Sequence, residues 1–448
     1  MLYGGRQGSL FGRLGPKVVL AGSMAAAALT VLLFLGLRTV FGERGVARTA
    51  GSGDAASGAP GATEAAAAPS RAGGSPREGE TKAAGGALDS AASLPLAARK
   101  MLPGEEMIGA GKAKEALAWA ESFSGPDSDR HKVLLIKARA MAQLGRTAEA
   151  KQTLESIASA NVPESAEARL ELLRMSGKPD VAVLREIWSS DGRGRAGTQA
   201  AMMLADSLWE NSRRKASVSE CAEELEECRR AYSAALLGRD ISRADADRII
   251  ARMDTLNRVL IFNKAIETSN PKSVVHTVQS GESPASIAAK YKVPVGQVAR
   301  LNGMAEKAVL QVGQRLKLLP GKWRLLVNRS SLDMLVFWED TFIKKYPVGI
   351  GPGDATPLGT FVITKKTVNP DWYYNGQRIP FGNPKNILGT RWMGFDPNGP
   401  GRGFGVHGTS EPDSVPGRKS KGCIRMLNPD VEELYDLAPT GTIVEIVD

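Results

Sequence analysis

The chain has little with which to build a metal centre or a disulfide scaffold. Its 448 residues include three histidines, His131, His276 and His407, and three cysteines, Cys221, Cys228 and Cys423. None of the histidines sits at zinc-ligand spacing, so no metal and no cofactor is expected. Cys221 and Cys228 fall seven residues apart in a helical pattern. A continuous helix separates such positions by about 10.5 Å of rise, too far for a disulfide. They read as buried or half-buried thiols on one helix face, which leaves Cys423 free. Scarce cysteine is compatible with export, because large domains need no covalent staples. Aromatic residues make up only 6 % of the chain, and no basic run carries interleaved aromatics. The net charge of +10 therefore does not point to nucleic acid. Residues 1–100 hold 11 Lys+Arg against 6 Asp+Glu, whereas residues 322–448 hold 15 against 14. A basic chain suits association with anionic polymers.

The length allows about three folded domains, and composition divides the chain. Residues 18–37 carry no charge, and as a helix they span a bilayer core. Arg38 and Glu43-Arg44 follow where a small-x-small cleavage site would lie. The run therefore reads as an uncleaved transmembrane signal anchor after a short N-terminus, residues 1–17. Residues 45–96 are mostly Ala, Gly, Ser, Pro and Thr. They bury too little apolar surface to offset ordering entropy and read as a disordered linker. Residues 97–268 show the helical spacing of three and four, as in Val133, Leu134, Ile136, Ala140 and Leu144. Gly111-Lys-Ala-Lys-Glu115-Ala116 is echoed 34 residues later by Gly145-Arg-Thr-Ala-Glu149-Ala150, with a weaker copy from Gly177. Residues 273–319 read as strand, helix, helix, strand. Residues 322–448 are rich in strand signals around 324–327, 334–338, 342–343, 361–363 and 442–446. One helix is expected there, over 429–437, with Asn428 as its N-cap.

The clearest chemistry lies near the C-terminus. His407-Gly408-Thr409 is followed, sixteen positions after the histidine, by Cys423 within Ser420-Lys421-Gly422-Cys423-Ile424-Arg425-Met426. A thiolate is the nucleophile of cysteine chemistry, and a nearby imidazole makes it available near neutral pH. Gly408 and Gly422 permit close backbone approach to a reacting carbon. Arg425 adds a fixed positive charge suited to a carboxylate. This string closely resembles the active-site signature of the L,D-transpeptidases, the YkuD-type peptidoglycan cross-linking enzymes. Their pattern runs His-Gly, a variable loop, then Ser-x-Gly-Cys-Ile/Val-Arg. The x is a second histidine in many members and Lys421 here. Thr356-Pro357-Leu358-Gly359-Thr360-Phe361 and Gly441-Thr442-x-Val444 resemble further strings of the same domain. The resemblance implies a mostly β catalytic domain over 322–448. It makes Cys423 the nucleophile and His407 the proton acceptor and donor. It makes the Gly408 carbonyl the group that orients His407, and backbone N–H groups around Gly422 and Cys423 the oxyanion hole. Arg425 would hold the loop or a substrate carboxylate. The implied substrate is a tetrapeptide stem, attacked at the carbonyl before its terminal D-alanine. Trp372, Tyr373, Tyr374, Trp392 and Phe395 cluster ahead of His407 and read as core or as a substrate lid.

Val278-Gln279-x-Gly281-Glu282-Ser283, Ile287-Ala288, Leu301-Asn302-Gly303 and Val312-Gly313-Gln314-x-Leu316 resemble the LysM module. That resemblance implies binding of N-acetylglucosamine-containing glycans, with contacts from Gly281, Glu282, Ser283 and Asn302. The 34-residue echo resembles a degenerate tetratricopeptide array, which implies either a groove for a protein partner or a helical spacer. Together these resemblances imply peptidoglycan as the partner. They place the chain as a single-pass protein of the inner, cytoplasmic membrane, with its catalytic domain in the periplasm or the extracytoplasmic wall. Alternatives within the family are an L,D-carboxypeptidase and a lipoprotein-attaching transpeptidase. A sortase-like enzyme would not carry this Ser-x-Gly-Cys-Ile-Arg string. A non-catalytic LysM wall anchor would not need the complete Cys/His/Arg set.

Overall fold

The computed structural model describes residues 101–238, 240–266 and 270–448. The expected transmembrane run 18–37 and the linker 45–96 lie outside them. Among the described residues no helix is long and apolar enough to cross a membrane.

The first part of the described residues is helical. Three helical hairpins come first: α1 (Pro103–Gly109) with α2 (Ala113–Glu121), α3 (Arg130–Gln143) with α4 (Thr147–Ala158), and α5 (Ser165–Ser176) with α6 (Val181–Asp191). The echoed glycines, Gly111, Gly145 and Gly177, take positive φ in the three turns, a conformation that only glycine adopts freely. The echoed alanines, Ala116 and Ala150, are fully buried where helices meet. Three longer helices follow: α7 (Arg195–Ser212), α8 (Ala222–Leu236) and α9 (Arg243–Leu260). Cys221 and Cys228 are both buried there, and both free.

The small unit pairs β1 (Val274–Thr277) antiparallel with β2 (Arg315–Leu318). Between them lie α10 (Pro284–Tyr291) and α11 (Val295–Asn302). Ser283 caps α10 by accepting from the Ser286 N–H, and Gly303 ends α11 in the left-handed region. Val278, Ile287, Val298, Leu316 and Leu318 fill its core.

The C-terminal domain is built on one sheet. Its strands are β3 (Trp323–Asn328), β4 (Asp333–Trp338), β5 (Thr341–Pro347), β6 (Gly359–Val368), β9 (Arg391–Phe395), β10 (Gly405–His407), β11 (Ile424–Arg425) and β12 (Ile443–Val447). The order across the sheet is β11-β10-β9-β6-β12-β3-β4-β5. The β12–β3 and β10–β11 pairs are parallel and the rest antiparallel. A separate hairpin, β7 (Trp372–Tyr374) with β8 (Gln377–Ile379), stands off the sheet. The helix α12 (Asn428–Leu437) buries Val431, Leu434 and Leu437 against one face. On β3, Trp323, Leu325 and Val327 point into that same core, as a period of two requires. At the β3–β5 end, Leu326, Leu335, Phe337 and Phe342 join the core of α7–α9. The helical part thus covers the sheet edge farthest from β11.

Candidate active site

The parallel β10–β11 pair places the chemistry. Its register sets Val406 beside Ile424 and His407 beside Arg425. Cys423 immediately precedes β11, so its side chain leaves the sheet on the same face as His407 and Arg425. Cys423, His407, Arg425, Ser420 and Lys421 line one cleft of about 590 Å³. Trp372, Tyr373, Tyr374 and Trp392 line the same cleft. Phe395 does not: it is buried and stacks on Phe361 at 5.1 Å, in the core.

His407 is buried and its ring stacks on Trp392, with 5.9 Å between centroids. Its Nδ1 lies 2.6 Å from the Gly408 carbonyl. A carbonyl only accepts, so Nδ1 carries the proton and Nε2 keeps a lone pair. Burial lowers the His407 pKa to about 4, while the Gly408 and Leu388 carbonyls pull it upward and the Arg425 charge lowers it further. Cys423 is partly exposed. Burial raises its pKa to about 11, against the opposing pull of the Gly405 backbone and of Arg425. Its Sγ lies 3.8 Å from the Gly403 carbonyl, a long contact. Burial thus works against charge on either partner in the free protein.

The loop around the sulfur is braced by its own residues. Ser420 Oγ donates to the Cys423 carbonyl at 2.6 Å and accepts from the Gly422 N–H at 3.2 Å. Gly422 has φ +115°, and a Cβ there would meet the Ala355 carbonyl oxygen at 2.4 Å and the Phe404 ring at 2.6 Å. Arg425 is buried; its Nη1 donates to Glu411 Oε2 at 3.0 Å and to Ser414 Oγ at 2.8 Å. Of its two expected roles, these bonds serve the loop.

Asn428 holds the histidine segment, a role that its sequence position did not reveal. Expected as the N-cap of the last helix, it is instead the first residue of α12, with Leu427 at the cap. Its Oδ1 accepts from the N–H groups of Thr409 at 3.0 Å and Thr390 at 3.3 Å. Its Nδ2 donates to the Thr409 carbonyl at 2.9 Å. The one available signal was an asparagine two residues past the Arg425-Met426 end of the string.

The expected glycan residues are mostly engaged internally. Glu282 bonds His276 Nε2 at 2.6 Å and the Gln279 N–H at 2.8 Å. Ser283 is the α10 cap. Asn302 donates to the Val298 and Lys317 carbonyls and accepts from the Lys317 N–H, each at 2.8 Å. Gly281, at φ +80° on an exposed turn, has no such commitment.

The family description "L,D-transpeptidase catalytic domain" matches residues 322–446, and "LysM domain" matches residues 276–318. A Bacillus subtilis protein named "Putative L,D-transpeptidase YqjB" is 42 % identical over 132 residues, covering 29 % of this chain and 74 % of that protein. A Bacillus licheniformis protein named "Putative L,D-transpeptidase YkuD" is 29 % identical over 181 residues, covering 39 % of this chain and 98 % of its own length. Among solved structures, L,D-transpeptidase 3 from Mycobacterium tuberculosis aligns with 16 % identity and a TM-score of 0.25, over 31 % of this chain and 67 % of that one.

Proposed function

The chain belongs to the L,D-transpeptidase family, and from that premise we propose that Cys423 and His407 carry out acyl transfer on peptidoglycan stems. The observation that carries this reading is the β10–β11 register, which sets the thiol and the imidazole on one face of one cleft. Cys423 Sγ attacks the carbonyl before the terminal D-alanine of a tetrapeptide, and its proton passes to His407 Nε2. The C–N bond breaks as His407 returns that proton to the departing D-alanine nitrogen. An acceptor amine then attacks the thioester and gives its proton to His407. The C–S bond breaks, and the proton returns to sulfur. Backbone N–H groups of the Gly422–Cys423 turn hold the oxyanion, the Gly422 N–H leaving Ser420 Oγ to do so. Gly408 fixes the tautomer, and Arg425 braces the loop.

The LysM unit is proposed to hold the enzyme on glycan strands through the exposed turn at Gly281. The hairpins α1–α6 are proposed as a tetratricopeptide-like surface for a protein partner. The 18–37 run is proposed as the single anchor in the inner membrane, with the catalytic domain on the extracytoplasmic side.

The test incubates the purified full chain, in detergent, with disaccharide-tetrapeptide beside Cys423→Ala, reading products by mass spectrometry. A dimer lacking one D-alanine, absent in the variant, supports cross-linking through Cys423. A tripeptide monomer alone points to carboxypeptidase action. No product, with a thiol that still acylates on a carbapenem, points to a protein acceptor. No product and no acylation would overturn the reading.

A further inference from the structure

Lys421 stands one residue before Gly422 in the nucleophile loop. Its Nζ lies 3.7 Å from the centre of the Tyr374 ring and 5.8 Å from that of Trp372. The two rings stack at 4.7 Å with 18° between their planes. Lys421 holds the Tyr374 hydroxyl pKa below its usual value, first by a hydrogen bond and then by its charge. Two parallel aromatic faces under an ammonium group make a cation platform, and it opens into the cleft that holds Cys423. The hairpin that carries the rings has its own braces. Asp371 accepts from Arg378 Nε at 2.7 Å and from the Phe381 N–H at 3.1 Å. Asn386 Nδ2 donates to the Pro370 and Ile379 carbonyls at 2.9 and 3.1 Å.

Resting on the transpeptidase reading above, we propose that the Trp372–Tyr374 stack docks the side-chain ammonium of the acceptor stem. Lys421 occupies that platform in the free enzyme. The second half-reaction brings an amine to the thioester carbon of Cys423. Lys421 is two residues from Cys423, so a cation on the platform waits within a side chain's length of the nucleophile loop. The displaced Lys421 stays close, and a neighbouring like charge favours the neutral form of the incoming amine. The ammonium loses one proton to water as it leaves the platform. Its nitrogen then bonds to the thioester carbon, the C–S bond breaks, and the second proton passes through His407 to sulfur.

The test uses the full chain with disaccharide-tetrapeptide and reads the ratio of cross-linked dimer to hydrolysed tripeptide. Both arise from one acyl-enzyme, so their ratio is independent of how fast it forms. Trp372→Leu with Tyr374→Leu is expected to lower the ratio roughly three- to thirtyfold. Capture of the same acyl-enzyme by hydroxylamine, uncharged at neutral pH, should keep its ratio to tripeptide. Lys421 is exposed, so Lys421→Met leaves the fold in place, and by vacating the platform it should raise the dimer-to-tripeptide ratio. An unchanged dimer ratio in the double variant would overturn the proposal. So would an equal loss of hydroxylamine capture, or a fall in the ratio on Lys421→Met, since both describe a lid latch instead. No acyl-enzyme on wild-type Cys423 would remove the transpeptidase reading and this proposal with it.

Discussion

At the scale of single residues, burial works against charge on both members of the proposed Cys423–His407 pair. With His407 near 4 and Cys423 near 11, neither titrates around neutrality. Acylation by the tetrapeptide should therefore be nearly flat from about pH 6 to 9 and half-lost near pH 4. Alkylation by iodoacetamide, which needs free thiolate, should climb about tenfold per pH unit until about 11. A stopped-flow profile that peaks near pH 7 would contradict this. The same burial bears on stability. An unfolded histidine titrates near 6.5 and the folded one near 4, so the unfolded chain binds more protons between those values. Stability from His407 is complete above about 6.5 and is lost as pH falls toward 4, on the order of 3 kcal/mol. His407→Gln should remove that part of the acid dependence of the urea midpoint. Asn428→Ala should lower the acylation rate about tenfold or more, because the two N–H groups and one carbonyl it satisfies hold the histidine segment. Asn428→Asp, which keeps the acceptor but not the donor, should fall between. His407, Cys423 and Arg425 were legible because their chemistry is written within nineteen consecutive residues. Asn428 was not, since its partners at Thr390 and Thr409 become neighbours only through the fold. Glu282 and Asn302 show the converse: a polar side chain reads alike in sequence whether it waits for a ligand or is engaged by its own fold.

At the scale of elements, α12 fixes the site from behind. Its first residue clamps the Thr409 segment. Its far end is held by Lys366, whose Nζ donates to the Tyr435 and Ala438 carbonyls, the latter at 2.7 Å, and sits 4.2 Å from the centre of the Tyr435 ring. Those carbonyls are among the last of the helix, which have no partner along the axis and carry its negative end. Lys366→Met keeps the stem but removes these bonds. Thermal unfolding should shift downward by several degrees, corresponding to about 2 kcal/mol, with acylation reduced in parallel as α12 loosens. The long strands and this helix were legible from their periodicity. The strands that carry the chemistry were not: β10 has three residues and β11 two, too few for a period of two to show.

At the scale of the whole molecule, the parts are docked to one another. Only residues 319–322 separate β2 from β3, and α11 packs on α12. Gln297 Nε2 donates to the Leu437 carbonyl at 2.9 Å, and its Oε1 accepts from the Leu319 N–H at 2.9 Å. Arg300 Nη2 reaches Asp436 at 2.5 Å. On the other side, Asn257 Nδ2 donates to the Phe342 and Ile343 carbonyls at 2.9 and 2.8 Å, and Ser233 Oγ accepts from the Phe342 N–H at 2.8 Å. The order of the domains could be read from the chain, but this docking could not, since Gln297, Asn257 and Ser233 look like ordinary surface residues of their own helices. Because the Gln297, Asn257 and Ser233 bonds are buried and span three units, the described body should unfold as one calorimetric transition, and glycan held by the LysM unit should keep a fixed relation to the cleft. Gln297→Leu tests the point. It leaves the Leu437 carbonyl and the Leu319 N–H buried without partners, at about 1–3 kcal/mol each. The single transition should then split, and the 319–322 connection should become open to proteolysis. Cysteine acylation by a carbapenem should change far less than transfer on intact peptidoglycan, because only the latter uses both units at once. A variant that still melts in one step, with cross-linking of intact sacculi undiminished, would mean that the two units work as independent modules on a short tether.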